Sequence, residues 1–186
     1  LNLTEKSASS ASPPFSNPAQ LEAVDRIYQS QRQAFLHKSP PDISLRKMRL
    51  QKLKAALLEN QQALVEAVSR DFQNRSHHET LMAEIFPILD EIKHAHCHLS
   101  RWARVRRVPV SIWFRPGRAR IHPQPLGVVG IIVPWNYPLF LSLGPLIGAL
   151  AAGNRAMVKM SENSPVTAET LRRILASVFQ EDEVDI

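Results

Sequence analysis

Three polar side chains of this 186-residue sequence are placed where they could do chemistry: Asn136, Lys159 and Glu162. Asn136 stands in Pro134-Trp135-Asn136-Tyr137-Pro138. That segment lies inside a stretch, residues 123–154, with no Asp, Glu, Lys, Arg or His, in a chain that is 22% charged overall. The one amide side chain of this turn, Asn136, has to be hydrogen-bonded or put to use in so apolar a setting. Asn is also common in turns, so locally Asn136 reads equally well as a residue that pins one. Lys159 and Glu162, in Lys159-Met160-Ser161-Glu162, read locally as an exposed pair, which is ordinarily worth little.

The elements around them give these residues a place. The uncharged stretch is long enough for a membrane span. However, Pro125, Pro134, Pro138 and Pro145 each remove a backbone donor that lipid cannot replace. It reads instead as strand, sharp turn and helix. Residues 127–133 are rich in Val and Ile without alternation, as expected of a strand covered on both faces. Residues 139–152 have helical length and stop at Gly153-Asn154. Residues 155–159 form a second strand. Ser164-Pro165 is a cap followed by a first-turn proline, opening a helix with Leu171, Ile174, Leu175 and Val178 on one face. Strand, helix, strand, helix is the start of a Rossmann-like doubly wound parallel α/β sheet. Ligands of such sheets collect at the carboxyl ends of the strands, which puts Asn136 and the segment 159–162 on one rim. Neither G-x-G-x-x-G nor the phosphate-cradling G-x-x-x-x-G-K-[ST] occurs.

The ordered set Pro125-Leu126-Gly127-Val128, Pro134-Trp135-Asn136-Tyr137-Pro138, Gly148-Ala149-Leu150-Ala151-Ala152-Gly153-Asn154 and Lys159-Met160-Ser161-Glu162 resembles the aldehyde dehydrogenase superfamily. Upstream, Ala83-Glu84-Ile85, Glu91-Ile92 and residues 99–102 are similar to the helix before the cofactor domain in the shorter, class-3-like members. Within that branch the chain looks most like the coniferyl-aldehyde-dehydrogenase-like enzymes. The resemblance implies NAD(P)-dependent oxidation of an aldehyde, aromatic in the coniferaldehyde-like case, to a carboxylic acid. Asn136 matches the asparagine whose amide holds the oxyanion formed when a cysteine thiolate adds to the aldehyde. A neutral donor in a dry site does this without repelling formation of the thiolate. Ile132, Val133 and Trp135 match positions lining the cofactor. Lys159 and Glu162, with Ser161 between them, match the segment that holds the adenosine ribose. A carboxylate accepting from two hydroxyls favours NAD. Lys159 would offset repulsion of a 2′-phosphate, which leaves NADP as the alternative. The family's nucleophilic cysteine, general-base glutamate and second glycine motif match nothing up to Ile186. The chain is therefore expected to be the N-terminal portion of a longer enzyme, inactive taken alone.

Composition narrows the rest. Residues 1–17, rich in Ser, Ala and Pro, are expected to be a disordered tail. Residues 18–107 read as helical, packing on the cofactor domain. Pro18 marks a start, Pro40-Pro41 a break and Ser44 a cap. A seam of Leu81, Ile85, Ile88, Ile92, Ala95, Leu99 and Trp102 is interrupted at Pro87, where a kink or boundary is expected. Residues 108–123 read as a β-hairpin, with strands over 108–114 and 118–122 about a turn at Pro116-Gly117. Residues 124–186 begin the NAD(P)-binding domain. One cysteine rules out an internal disulfide, and no secretory signal pattern is visible, so a cytoplasmic location is expected.

Other constellations compete less well. Cys97 has His94, His96 and His98 around it, yet adjacent helix positions point about 100° apart, so only His94 faces it. His94 and His98 lack a third ligand, and no metal site is expected. Residues 101–120 hold seven arginines and no acid, while the whole chain is +6, so this segment is the source of the basicity. It admits a nucleic-acid binder as a rival reading. The favoured reading is the charged hairpin of an oligomerisation element, with a homodimer as the expected assembly and neither nucleic acid nor membrane as a partner. A catalytically inactive remnant that binds a partner is the remaining alternative.

Overall fold

A computed structural model describes residues 18–186, and the tail expected over residues 1–17 lies outside them. Helix α1 (Pro18–His37) starts at the proline that marks it, and α2 (Ile43–Glu59) follows the Pro40-Pro41 break. The α2 cap is Asp42 rather than Ser44. Asp42 has extended backbone, and its Oδ1 accepts from the Leu45 N–H at 2.7 Å. After α3 (Gln61–Asp71), helical backbone runs without interruption through α4 (His77–Thr80), a π-helical turn (Leu81–Ile85) and α5 (Phe86–Trp102). The π turn is the boundary expected near Pro87. Proline has no N–H to close the preceding turn, and a widened turn absorbs the defect. Of the seam, Ile85, Ile88, Ile92, Ala95 and Leu99 are buried, whereas Trp102 is half exposed. The seam packs on α2 and on α6 (Pro138–Ala152).

The helical stretch ends at Trp102, short of residue 107, and the hairpin starts earlier than expected. Strand β1 (Arg106–Val108) pairs antiparallel with β2 (Ala119–Ile121), Val108 opposite Ala119. Residues 109–114 do not extend the strand. Pro109 cannot donate to the ladder, and Ile112–Phe114 instead form a 3₁₀ turn. This turn leaves Ile112, Trp113 and Phe114 70%, 89% and 72% exposed.

The second sheet is parallel, in the order β3 (Val128–Ile132), β4 (Arg155–Lys159), β5 (Val184–Asp185), with α6 and α7 (Pro165–Val178) as the crossovers. Val128 faces Arg155 and Ile132 faces Lys159, while Ala156 faces Val184. Burial of β3 on both faces is not observed. Ile131 and Val133 are buried, but Ile132 between them is 83% exposed. Helix α6 covers one face of this strand; α1 packs over the start of the other, which is open only toward Ile132. Leu139, Leu143, Leu146, Ile147 and Leu150 of α6 share one core with Leu50, Leu53 and Leu57 of α2 and with Ile88 and Ile92 of α5. Each contributes about 1.5–3 kcal/mol on burial. Helix α6 stops as expected. Gly153 takes φ 88°, where a Cβ would lie 2.8 Å from the Arg46 guanidinium. Asn154 then ties the helix end to the strand start, its Oδ1 accepting from the N–H groups of Leu126 (2.6 Å) and Gly127 (3.0 Å).

Ser164 occupies the cap position of α7 without capping it, since its Oγ donates to the Ser161 carbonyl at 3.2 Å. The capping acceptor is Asp71, from the far end of α3. Its carboxylate receives the Val166 N–H (3.1 Å), the Thr167 N–H (2.7 Å) and the Thr167 hydroxyl (2.7 Å). A carboxylate is unfavourable at the end of its own helix and favourable at the start of another, so one residue fastens α3 to α7. Asp71→Ala is expected to destabilise the protein by about 1–3 kcal/mol in urea unfolding, with Asp71→Asn in between, because an amide oxygen still accepts.

Candidate active site

The turn from β3 into α6 carries Asn136, and what holds that turn comes from earlier in the chain. Glu84, in the π turn, is fully buried. Its Oε2 accepts from the Leu139 N–H at 2.8 Å and the Phe140 N–H at 3.1 Å, the unpaired donors at the start of α6. Its Oε1 lies 3.5 Å from Arg75 Nη1. Arg75 belongs to the short loop between α3 and α4, and its side chain is only 7% exposed. Its Nη1 donates to the Asn136 carbonyl at 3.0 Å, and its Nη2 lies 3.1 Å from Glu79 Oε1. The guanidinium sits 4.6 Å from the centre of the Tyr137 ring and 5.2 Å from that of Phe72. Phe72 stacks on Trp135 with ring centres 6.1 Å apart.

The expected neighbours divide into two groups along one rim. Ile132 ends β3, and the Val133 N–H donates to the Lys159 carbonyl at 3.0 Å, so the exits of β3 and β4 lie side by side. Lys159 Nζ lies 2.9 Å from Glu162 Oε2, both side chains being largely exposed. The hydrogen bond from Lys159 holds the Glu162 carboxyl below its usual range. Ser161 is nearly buried and works on its own turn, its Oγ accepting from the Asn163 N–H at 3.2 Å. Trp135 and Asn136 diverge from this group toward the α3–α4 loop.

The dry setting expected around Asn136 is not observed. Asn136 is exposed. It borders an open cleft of about 390 Å³ whose walls include Phe72, Arg75 and Tyr137. Its side-chain amide has no hydrogen-bond partner among the described residues and is available to a ligand.

Glu84, Arg75 and Asp71 hold the turn and the helix starts through contacts that sequence reasoning does not assign. Glu84 carries a usable signal: it falls three residues after Leu81 and four before Ile88, on the apolar face of its helix. A glutamate there has to be paired. Arg75 and Asp71 carry none, since the Asn136 carbonyl and the start of α7, which they hold, lie 61 and 95 residues or more away.

Elsewhere, Cys97 is exposed on α5. His94 and His98 stack with ring centres 4.2 Å apart and continue onto Trp102. No group of three or more His, Cys, Asp or Glu converges among the described residues. No helix there is long and apolar enough to cross a membrane.

Comparison with known proteins bears on the same residues. The model of the aldehyde dehydrogenase family matches residues 16–184. A probable coniferyl aldehyde dehydrogenase of Pseudomonas aeruginosa is 48% identical over 167 residues, which are 90% of this chain and 35% of the relative. A coniferyl aldehyde dehydrogenase of another Pseudomonas strain is 41% identical over 87% of this chain and 32% of its own length. The structure of AldH from Staphylococcus aureus in a substrate-bound state superposes with a TM-score of 0.83 at 32% identity, covering 87% of this chain and 35% of that one. The chain thus spans about a third of the length of the relatives it matches.

Burial pushes the Glu84 carboxyl above its ordinary range, against the opposing pull of the Phe140 and Leu139 N–H groups and Arg75. Unfolded, Glu84 ionises near its ordinary value of about 4.3; folded, it keeps its proton to higher pH. Between the two the folded state binds more protons, so this site's contribution to stability falls as pH rises. The stability of the wild type relative to Glu84→Gln, from urea unfolding, should therefore decrease as pH rises from about 4 through the folded-state pKa of Glu84. An increase would mean that the helix donors and Arg75 outweigh burial.

Proposed function

Because this chain belongs to the aldehyde dehydrogenase family, we propose that it forms the N-terminal third of an NAD(P)-dependent enzyme that oxidises an aromatic aldehyde to its acid. The observation that carries the reading is the free Asn136 amide. It is presented at the start of a buried helix, on the same rim as an exposed Lys159–Glu162 pair. The coniferyl names of the relatives at 48% and 41% identity support an aromatic substrate.

The residues present fit a dinucleotide. Ile132 is exposed at the open end of a strand face, where an adenine or ribose could lie against it, and Val133 fixes the backbone beside it. Glu162, exposed and held below its usual range, would hold the two ribose hydroxyls, with Lys159 as a donor next to them. Ser161 keeps this turn in shape, and Trp135 flanks the rim above. The expected cofactor is NAD, because the Glu162 carboxylate would face a 2′-phosphate with like charge; NADP requires Lys159 to offset it. When bound, the nicotinamide supplies a hydride acceptor.

The chemistry assigned to this chain's own residues is electrostatic. Asn136 Nδ2–H donates to the aldehyde oxygen as negative charge develops there. As a neutral, fixed dipole it favours the charged transition state over the neutral substrate. The attacking thiolate and the base for hydrolysis come from parts of the family's chain that this segment does not match. The arginine-rich hairpin, with its exposed Ile112, Trp113 and Phe114, is the contact to a second copy in a homodimer.

The test is NAD reduction driven by an aromatic aldehyde, in the polypeptide that carries this segment at the relatives' length. Asn136→Ala should lower kcat about a hundredfold or more and leave the NAD dissociation constant within about twofold. An unchanged kcat would remove Asn136 from the reaction.

A further inference from the structure

The Asn136 side chain makes no hydrogen bond of its own among the described residues, so its direction depends on the backbone that bears it. That backbone is held at one polar point, the Asn136 carbonyl, by Arg75 Nη1 at 3.0 Å. The same guanidinium packs against the ring of the next residue, Tyr137, and against Phe72, which also stacks on the ring of the preceding residue, Trp135. Three successive residues of the turn are thus touched by Arg75 or by its aromatic neighbour. Arg75 is itself fixed. Glu79 and Glu84 hold it from two directions. It also follows two left-handed residues, Gln73 (φ 53°) and Asn74 (φ 78°), which turn its loop sharply. Glu84 fixes the two N–H groups that follow the turn.

We infer that Arg75 is a positioning residue, whose planar fork sets the direction of the Asn136 amide toward the aldehyde oxygen by holding the Asn136 carbonyl. The inference rests on the oxyanion role proposed for Asn136. A lysine cannot reproduce it in full, because one ammonium cannot serve the carbonyl, Glu79 and Glu84 in a single plane. Loosening an electrostatic donor by about an ångström costs up to about a hundredfold in rate.

The experiment compares wild type, Arg75→Met, Arg75→Lys, Asn136→Ala and each Arg75 variant combined with Asn136→Ala, in the full-length enzyme. The readouts are kcat with an aromatic aldehyde and the NAD dissociation constant. Arg75→Met should lower kcat about tenfold to a hundredfold with NAD binding within about twofold, and Arg75→Lys should fall between Met and wild type. On the Asn136→Ala background neither change should slow the enzyme further, because the group being positioned is already gone. A wild-type rate in either single variant overturns the inference, as does an Arg75 defect that multiplies in full with that of Asn136→Ala. Should Arg75→Met fail to fold, the lysine variant on both backgrounds distinguishes the same two outcomes. A wild-type rate in Asn136→Ala is a separate outcome that sinks the oxyanion reading itself.

Discussion

The carboxylate of Glu84 sits fully buried at the N-terminus of α6, and the geometry of the rim follows from it. Burying a charge costs several kcal/mol unless donors replace its water. Here two backbone N–H groups just after the Asn136 turn serve one oxygen, and Arg75, which holds the turn itself, lies 3.5 Å from the other. They offset the cost in part, and burial still raises the carboxyl above its ordinary range. The exchange is reciprocal: the helix start needs an acceptor, and the buried acid needs donors. A prolyl N-terminus makes the need specific, since Pro138 has no N–H and the first donors fall on Leu139 and Phe140. The π turn helps put Glu84 on the inner face beside Ile85, so a defect forced near Pro87 in one helix serves the cap of another.

The same device recurs. Asp71 at the end of α3 closes the start of α7, and Asn154 after α6 receives the first N–H groups of the β3 segment. In each case an acidic or amide side chain from one element receives the free N–H groups at the start of another that is distant in the chain. Elements far apart in sequence are therefore held at their ends as well as along their apolar faces. Apolar packing alone tolerates small slides and rotations; a cap with two directional bonds does not. The Asn136 turn at one strand exit is fixed by such end-to-end caps rather than by core packing alone.

Much of this is readable in the sequence. β-branched residues, the two prolines and the Gly153-Asn154 stop locate β3, the turn and α6 within a residue or two. The strand at residues 155–159 is placed without error, because short, strongly patterned segments carry their own signal. What sequence reasoning misassigns depends on distant partners. Ser44 and Ser164 have the right type for caps, but aspartates take the donors. Residues 108–114 have strand-forming side chains, yet Pro109 ends the ladder before they can pair. Burial of β3 on both faces, and a dry setting for Asn136, follow from composition alone. Ile132 and Asn136 are instead exposed in the structure. Arg75 is invisible for a similar reason: nothing within its own loop shows that it meets Asn136, 61 residues on.

The most direct test of a shared rim is a crystal structure of the full-length protein with NAD bound. The adenosine ribose hydroxyls should lie within hydrogen-bonding distance of Glu162 and Lys159. The nicotinamide should sit on the same edge of the sheet as the Asn136 amide, with the Arg75 contact to the Asn136 carbonyl retained. A cofactor bound on another face, with Lys159 and Glu162 still paired only to each other, would contradict the assignment.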